Sequence, residues 1–153
     1  MRSWGGILAI VGLGILTGGM LFFGAVMAPL VFTHLPLPVA GAFIRAAFPW
    51  YYGFVLASAA LAGLGLLLQR KAAAAGPGAV IAVTLWSLLW LLPHMDALKA
   101  ANNAAGFAFW HNVSVWLNGA ELFAALLLLI RAAAVKDRDE ARPRRLPQAG
   151  IGL

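Results

Sequence analysis

Residues 3–44 read SWGGILAIVGLGILTGGMLFFGAVMAPLVFTHLPLPVAGAFI, a stretch without a formal charge. A helix needs roughly 20 apolar residues to cross about 30 Å of hydrocarbon, so this stretch holds one membrane span with chain to spare. Backbone groups in lipid must be satisfied within the segment, which a helix achieves. The period-2 alternation of a membrane barrel strand is missing. Met1-Arg2-Ser3 has the look of a secretory leader, yet the apolar run that follows far exceeds the usual ~7–15 residues. No small-residue cleavage site ends it, so a retained first span is expected over 5–32.

Working outward, charge-free intervals recur at 46–69, 72–95 and 100–120. They place further spans at 51–68, 79–92 and 108–130, the third short and bounded by Pro77 and Pro93. Pro36, Pro38 and Pro49 frame a segment at 39–48, about 15 Å of helix at ~1.5 Å per residue. It carries only Arg45 and runs into Phe48, Trp50, Tyr51 and Tyr52, the composition of an aromatic belt at a membrane surface. The expected fold class is therefore all-α: an integral membrane four-helix bundle over 1–130, with a short interfacial helix between spans one and two. No internal repeat stands out.

Composition agrees. Hydrophobic residues make up 63% of the 153 positions and charged residues 10%, against about 25% charged in an ordinary soluble domain. Eleven Lys and Arg with five Asp and Glu cannot coat a water-facing particle of this size, which argues against a soluble enzyme; the apolar content argues equally against a disordered chain. Without cysteine there is no disulfide, thiolate site or cysteine nucleophile.

With four spans, the N-terminus, the second loop and the C-terminal tail share one side. That side holds Arg2, Arg70, Lys71, Arg131, Lys136, Arg138, Arg142, Arg144 and Arg145, whereas the other holds Arg45 and Lys99. The positive-inside rule then predicts a multi-pass protein of the inner (plasma) membrane with both termini cytoplasmic. The basic tail at 131–153, with Pro143 and Pro147, reads as a short helical extension followed by disorder. Topology and anionic lipid account for its charge, and no nucleic-acid-reading module accompanies it.

The fourth span carries the most informative pattern. His111, Ser114, Asn118 and Glu121 are spaced by three, four and three, which puts them on one helical face. A polar stripe on an apolar span is expected to face the bundle. Glu121 lies about 14 Å in from Ile130 at ~1.5 Å per residue, near mid-membrane. An ionisable group at that depth is expensive and marks a candidate functional site. The competing reading is plain helix association: Ser114 and Asn118 hydrogen-bonding across helices at about 0.6 kcal/mol each, and an uncharged Glu121 donating to a carbonyl, to Thr84 or to Ser87.

His34, His94 and His111 all fall on the outer side of this topology. Three imidazoles near one plane suit Zn or Cu, with Asp96 as an oxygen donor, and a pair suits haem. No local ligand motif supports this, and interfacial histidines also occur as simple amphipathic residues. Gly14 and Gly18 make a small-xxx-small pair for helix packing, within the bundle or in a dimer. Trp86 and Trp90 read as packing or belt residues. No Ser/His/Asp arrangement, phosphate-cradling loop or HExxH sequence is present, so no enzymatic activity is expected.

Certain blocks carry a family resemblance: Gly18-Gly19-Met20, then Ala28-Pro29-Leu30-Val31-Phe32 and Leu35, Ala40-Gly41, Arg45 and Phe48-Pro49-Trp50-Tyr51-Tyr52, and later Phe107, His111-Asn112, Ser114 and Asn118. In this order they resemble the transmembrane protein 205-like family, whose bacterial members are membrane proteins of unknown function. Where eukaryotic members carry an arginine near the outer end of span three, this chain has Pro93-His94-Met95-Asp96. The resemblance implies a four-span integral membrane protein and supplies no mechanism; a eukaryotic relative linked to platinum-drug resistance and export gives mild support to a metal- or solute-handling role. Two functions are thus expected in parallel. One is a small-solute or metal handler working through the polar stripe; the other is a structural or accessory subunit, in a homo-oligomer or with a partner membrane protein. A haem-bearing redox subunit is a third.

Overall fold

A computed structural model describes residues 2–140 of the chain. Among these residues there is helix and turn and no strand. The elements are α1 (Arg2–Phe22), α2 (Ala28–His34), α3 (Leu37–Leu68), α4 (Ala75–Trp86), α5 (Leu92–Ala100) and α6 (Ala104–Glu140). A π-helical turn, Phe23–Met27, joins α1 to α2 without a break, and a second, Ser87–Leu91, joins α4 to α5. The result is four helices long and apolar enough to cross a membrane: Trp4–His34, Leu37–Leu68, Ala72–Ala100 and Ala104–Ala134. α6 continues to Glu140, so the start of the expected tail is helical; residues 141–153, on which the expectation of disorder falls, lie outside the described residues.

Two sequence boundaries are corrected. The segment 39–48 is helical, but it is the first third of the 32-residue α3 and not a separate interfacial helix. At ~1.5 Å per residue α3 reaches about 48 Å, longer than a ~30 Å hydrocarbon core, and it runs through Pro49 without a break. Span three is also longer than 79–92, because Pro77 and Pro93 lie within it. Pro77 sits near the start of α4, and Pro93 is accommodated by a π-turn.

That accommodation has a definite geometry, and it occurs twice. A proline lacks the N–H that would bond the carbonyl four residues earlier, and its ring clashes with that carbonyl. For Pro29 that residue is Ala25 and for Pro93 it is Leu89, each at the centre of a π-turn. The wider turn is closed by Ala28 N–H to Phe23 O in one case and Leu92 N–H to Ser87 O in the other. Local π adjustment is one way a spanning helix keeps its polar backbone satisfied.

The turns between spans are short, which makes successive spans antiparallel neighbours. Two of them stop a helix in the same manner, with Arg70 (φ 55°) and Asn102 (φ 53°) in the left-handed region. Lys71 N–H then bonds Leu66 O and Asn103 N–H bonds Leu98 O, closing carbonyls the helix end would leave open. The Asn103 side chain accepts from Gly106 N–H at 2.9 Å and caps the start of α6. The end carrying Leu35–Pro36 and Ala101–Asn103 is designated outer, and the end carrying Gln69–Lys71 inner.

α1 packs along α3, α3 along α4, the α4–α5 span along α6, and α6 back along α1, closing a ring of four. The α1–α3 crossing is backbone to backbone. A Cβ on Gly12 would stand 2.5 Å from Ala62 N, and one on Gly5 would stand 2.9 Å from Gly65 O. Gly14 and Gly18, the pair expected to pack, instead have nothing within 4 Å of such an atom. They face outward, and the intramolecular contact uses Gly5, Ala9 and Gly12. The core behind it includes Leu16, Met20, Tyr51, Tyr52, Val55, Val80, Leu91 and Ala125.

Candidate functional site

The polar side chains of the interior gather where three spans meet. Asn118 stands 14 residues after the start of α6 at Ala104, and Tyr51 stands 14 residues after the start of α3 at Leu37. Helices of equal rise entering from the same end bring them to one depth, and the Tyr51 hydroxyl donates to Asn118 Oδ1 at 3.1 Å. In the ring of four, this bond joins opposite corners. The Tyr51 ring is held in place by Phe23, stacked at 4.2 Å between centroids.

One turn further in, Thr84 Oγ1 donates to Glu121 Oε1 at 3.1 Å, with both residues buried. Tyr52, only 2% exposed, has its hydroxyl close to the side chains of Asn118 and Ser87. The site thus comprises Tyr51 and Tyr52 from α3, Thr84 and Ser87 from the third span, and Ser114, Asn118 and Glu121 from α6. Buried polar groups in a spanning helix need such partners, because lipid offers none.

The stripe read from the sequence is assembled in part. Ser114 and Glu121 are buried and Asn118 half-buried, but His111 is exposed and stacks on Phe107 at 6.0 Å. Ser114 turns its hydroxyl onto the carbonyl of His111 at 2.7 Å, and Asn118 donates from Nδ2 to the carbonyl of Ser114 at 2.9 Å. These are bonds within α6, so Asn118 and Glu121 are the stripe members that reach other helices. Thr84, not Ser87, takes Glu121.

The three histidines are not brought together. His34 bonds the Leu30 carbonyl and Thr33 at its own helix end. His94 stacks on Trp90 at 4.8 Å and meets Trp110 edge-on at 5.3 Å. Among the described residues no group of three or more His, Asp or Glu stands close enough to hold a metal ion. Asp96, considered as a fourth ligand, is instead paired with Arg45, which donates from Nε to Oδ1 at 2.8 Å and from the guanidinium terminus to Oδ2. Trp86 and Trp90 form a stack that continues into His94.

Sequence reasoning missed two members of the site and one ion pair above it. Tyr51 and Tyr52 read as belt aromatics, yet both are buried; their depth became visible only once α3 proved continuous through Pro49. The Arg45–Asp96 pair joins residues 51 positions apart, and no local pattern signals it. Outside the polar cluster, an apolar groove of about 290 Å³ opens outward between α1 and α3 beside Phe22, Phe23, Trp50 and Phe54, with Tyr51 also in its wall.

Among known proteins, the family model described as Domain of unknown function (DUF4149) matches residues 11–104. No curated protein and no solved structure matches the chain.

Proposed function

This chain belongs to the family described as Domain of unknown function (DUF4149), and we propose from its interior polar site that it handles a small solute or ion within the membrane. It is a multi-pass integral membrane protein with four spanning helices. The observation that carries the reading is Glu121, a carboxyl buried between spans three and four near the middle of the fourth spanning helix, with Thr84 as its hydrogen-bond donor. Intramembrane carboxyls are costly and by default mark ligand or ion sites. The cross-bundle Tyr51–Asn118 bond and the nearby hydroxyls of Tyr52 and Ser87 provide further groups able to donate and accept.

In this reading the protein sits in the inner (plasma) membrane with both termini cytoplasmic. Support comes from Arg70, Lys71 and Arg131 at the inner end, while Arg45 at the outer end is paired with Asp96. It is not an enzyme, its surroundings are lipid and a second copy or partner membrane protein, and nucleic acid is not a ligand. The test is flux of protons, alkali cations and divalent metals into liposomes bearing the full chain or its Glu121→Gln variant. Loss of one flux with unchanged thermal unfolding supports the reading. Absence of any flux, or loss only in step with unfolding, overturns it.

One observation favours an accessory role instead: Tyr51–Asn118 and Thr84–Glu121 are both inter-helix bonds, which tie the bundle together without any ligand. That alternative predicts a stable complex in mild detergent and no flux.

A further inference from the structure

The interior polar groups are strung in one direction. At the outer end Arg45 and Asp96 pair, both partly exposed. Beneath them lies Tyr52, near enough to Arg45 for an electrostatic interaction and close to Asn118 and Ser87. Tyr51 joins Asn118 at the same depth, and both tyrosine hydroxyls lie within electrostatic reach of Glu121. Glu121, with Thr84, ends the series.

Toward the inner end the character changes. Leu13, Leu16, Ala62, Leu66, Val80 and Ala125 are each at most 3% exposed, and α1 and α3 meet there at Gly12 and Ala62 with no room for a methyl group. The other buried hydroxyls do not extend the series inward: Ser58 is turned onto the Phe54 carbonyl at 2.8 Å, and Thr17, at about the depth of Glu121, has no partner for its Oγ1.

We propose that Glu121 is a proton-binding site loaded from the outer end, along Tyr52, Asn118 and Ser87 beneath the Arg45–Asp96 pair, and closed toward the inner end. The proposal rests on reading the interior polar cluster as a site and names its ligand. A proton is favoured over a metal by the donor count. Calcium takes about 6–8 oxygens and magnesium a near-octahedral set, whereas the oxygens joined here are one carboxyl and one threonine hydroxyl. Hydroxyls both donate and accept, so Tyr52, Ser87 and Thr84 suit a relay, and Asn118, which takes the Tyr51 hydroxyl, lies beside Tyr52. In the step itself each relay hydroxyl gives its proton inward as it takes one from its outer neighbour, so the net change is one proton gained by the carboxylate of Glu121, and release reverses the sequence.

The titratable neighbours on each packed element are few. α3 presents Tyr51 and Tyr52, with Arg45 above them. The third span presents Thr84 and Ser87, with His94, packed on Trp90 and Trp110, and then Asp96 toward its outer end. The first span has no titratable side chain between Arg2 and His34, and α6 has none but Glu121 itself between His111 and Arg131.

The test is infrared spectroscopy of the full chain in liposomes, following the C=O stretch of a protonated carboxyl after a jump in bath pH. A band that responds to pH, vanishes in Glu121→Gln, moves in Glu121→Asp and persists in Asp96→Asn is expected. Tyr52→Phe should slow its response to a jump on the outer side at least tenfold without abolishing the band, and a jump on the inner side should act only after the bath equilibrates. Thermal unfolding of each variant separates misfolding from loss of the site, and the Glu121→Asp shift keeps the test decisive if Glu121→Gln unfolds. A band indifferent to pH, an unchanged rate in Tyr52→Phe, a faster response from the inner side, or a change caused by sodium or potassium at fixed pH overturns the proposal. A titrating band without any flux retains the proton site and rejects transport; flux without a titrating band does the reverse.

Discussion

Tyr51 on the second span and Asn118 on the fourth meet across the centre of the bundle, hydroxyl to amide oxygen, at 3.1 Å. Each stands the same number of residues from the outer start of its helix, so the bond fixes the relative height of two helices on opposite corners of the ring. Removing it by Tyr51→Phe should cost about 0.6 kcal/mol, the mean for inter-helix hydrogen bonds in a membrane protein. Unfolding of the purified chain in mild detergent measures this; a cost above ~2 kcal/mol would mean that the hydroxyl supports more than Asn118.

Thr84→Val should be similarly mild for folding, because the hydroxyl is replaced by a methyl of like volume. It leaves Glu121 without the donor that the structure provides, and in lipid no water replaces it. The expected outcome is a destabilisation below about 2 kcal/mol in the single variant and little further loss when Glu121→Leu is added. A double-mutant cycle with no coupling would refute the contact.

The α1–α3 crossing separates two classes of glycine. Gly12→Leu should prevent the helices from meeting, since even a Cβ would lie 2.5 Å from Ala62 N. Overpacking costs typically ~1–3 kcal/mol or more, and here the obstacle is backbone, which cannot rotate away. Gly18→Leu should fold as the wild type does, because its Cβ meets nothing within 4 Å. Should Gly18→Leu change the oligomeric state on detergent gel filtration, the outward pair Gly14 and Gly18 lies in a contact between chains.

Arg45 and Asp96 join the outer ends of spans two and three, with side chains 39% and 49% exposed. Exposed pairs contribute about 0.2–1 kcal/mol and weaken with salt. Arg45→Ala should therefore lower stability only slightly at low salt and not at all in high salt. The charge-reversed pair Arg45→Asp with Asp96→Arg should restore most of the loss; failure to do so would mean that Arg45 acts through another partner.

Pro93→Ala returns an N–H to span three. The expected outcome is a regular α-helix through Ser87–Leu91 in place of the π-turn, turning Ser87 relative to Thr84 and altering the site near Tyr52. Amide hydrogen exchange across 87–92 reports this directly, and unchanged exchange would show that the proline is not the cause of the turn.

Much of this protein was written in local composition. Long charge-free intervals require helices in lipid, and the expected intervals hold the four spans observed. Spacing alone placed Ser114, Asn118 and Glu121 on one face, because the helical period is a local property. The same locality explains where reading by spacing stopped. His111 belongs to the stripe by spacing yet is exposed, since a face is defined by its neighbours and the bundle has turned away by that turn of α6. Gly14 and Gly18 were indistinguishable in sequence from Gly5 and Gly12; only the crossing of α1 with α3 decided which pair is buried. Prolines marked breaks in the sequence, but two π-turns and a continuous α3 carried the helices past them. The Arg45–Asp96 pair, the Tyr51–Asn118 bond and the separation of the three histidines all depend on how different helices are set side by side. Sequence by itself determined the solvent and the elements, because burial in lipid acts on each segment alone. Which polar groups meet was decided by tertiary structure, because contact between helices depends on their rotation and height, which no single segment encodes.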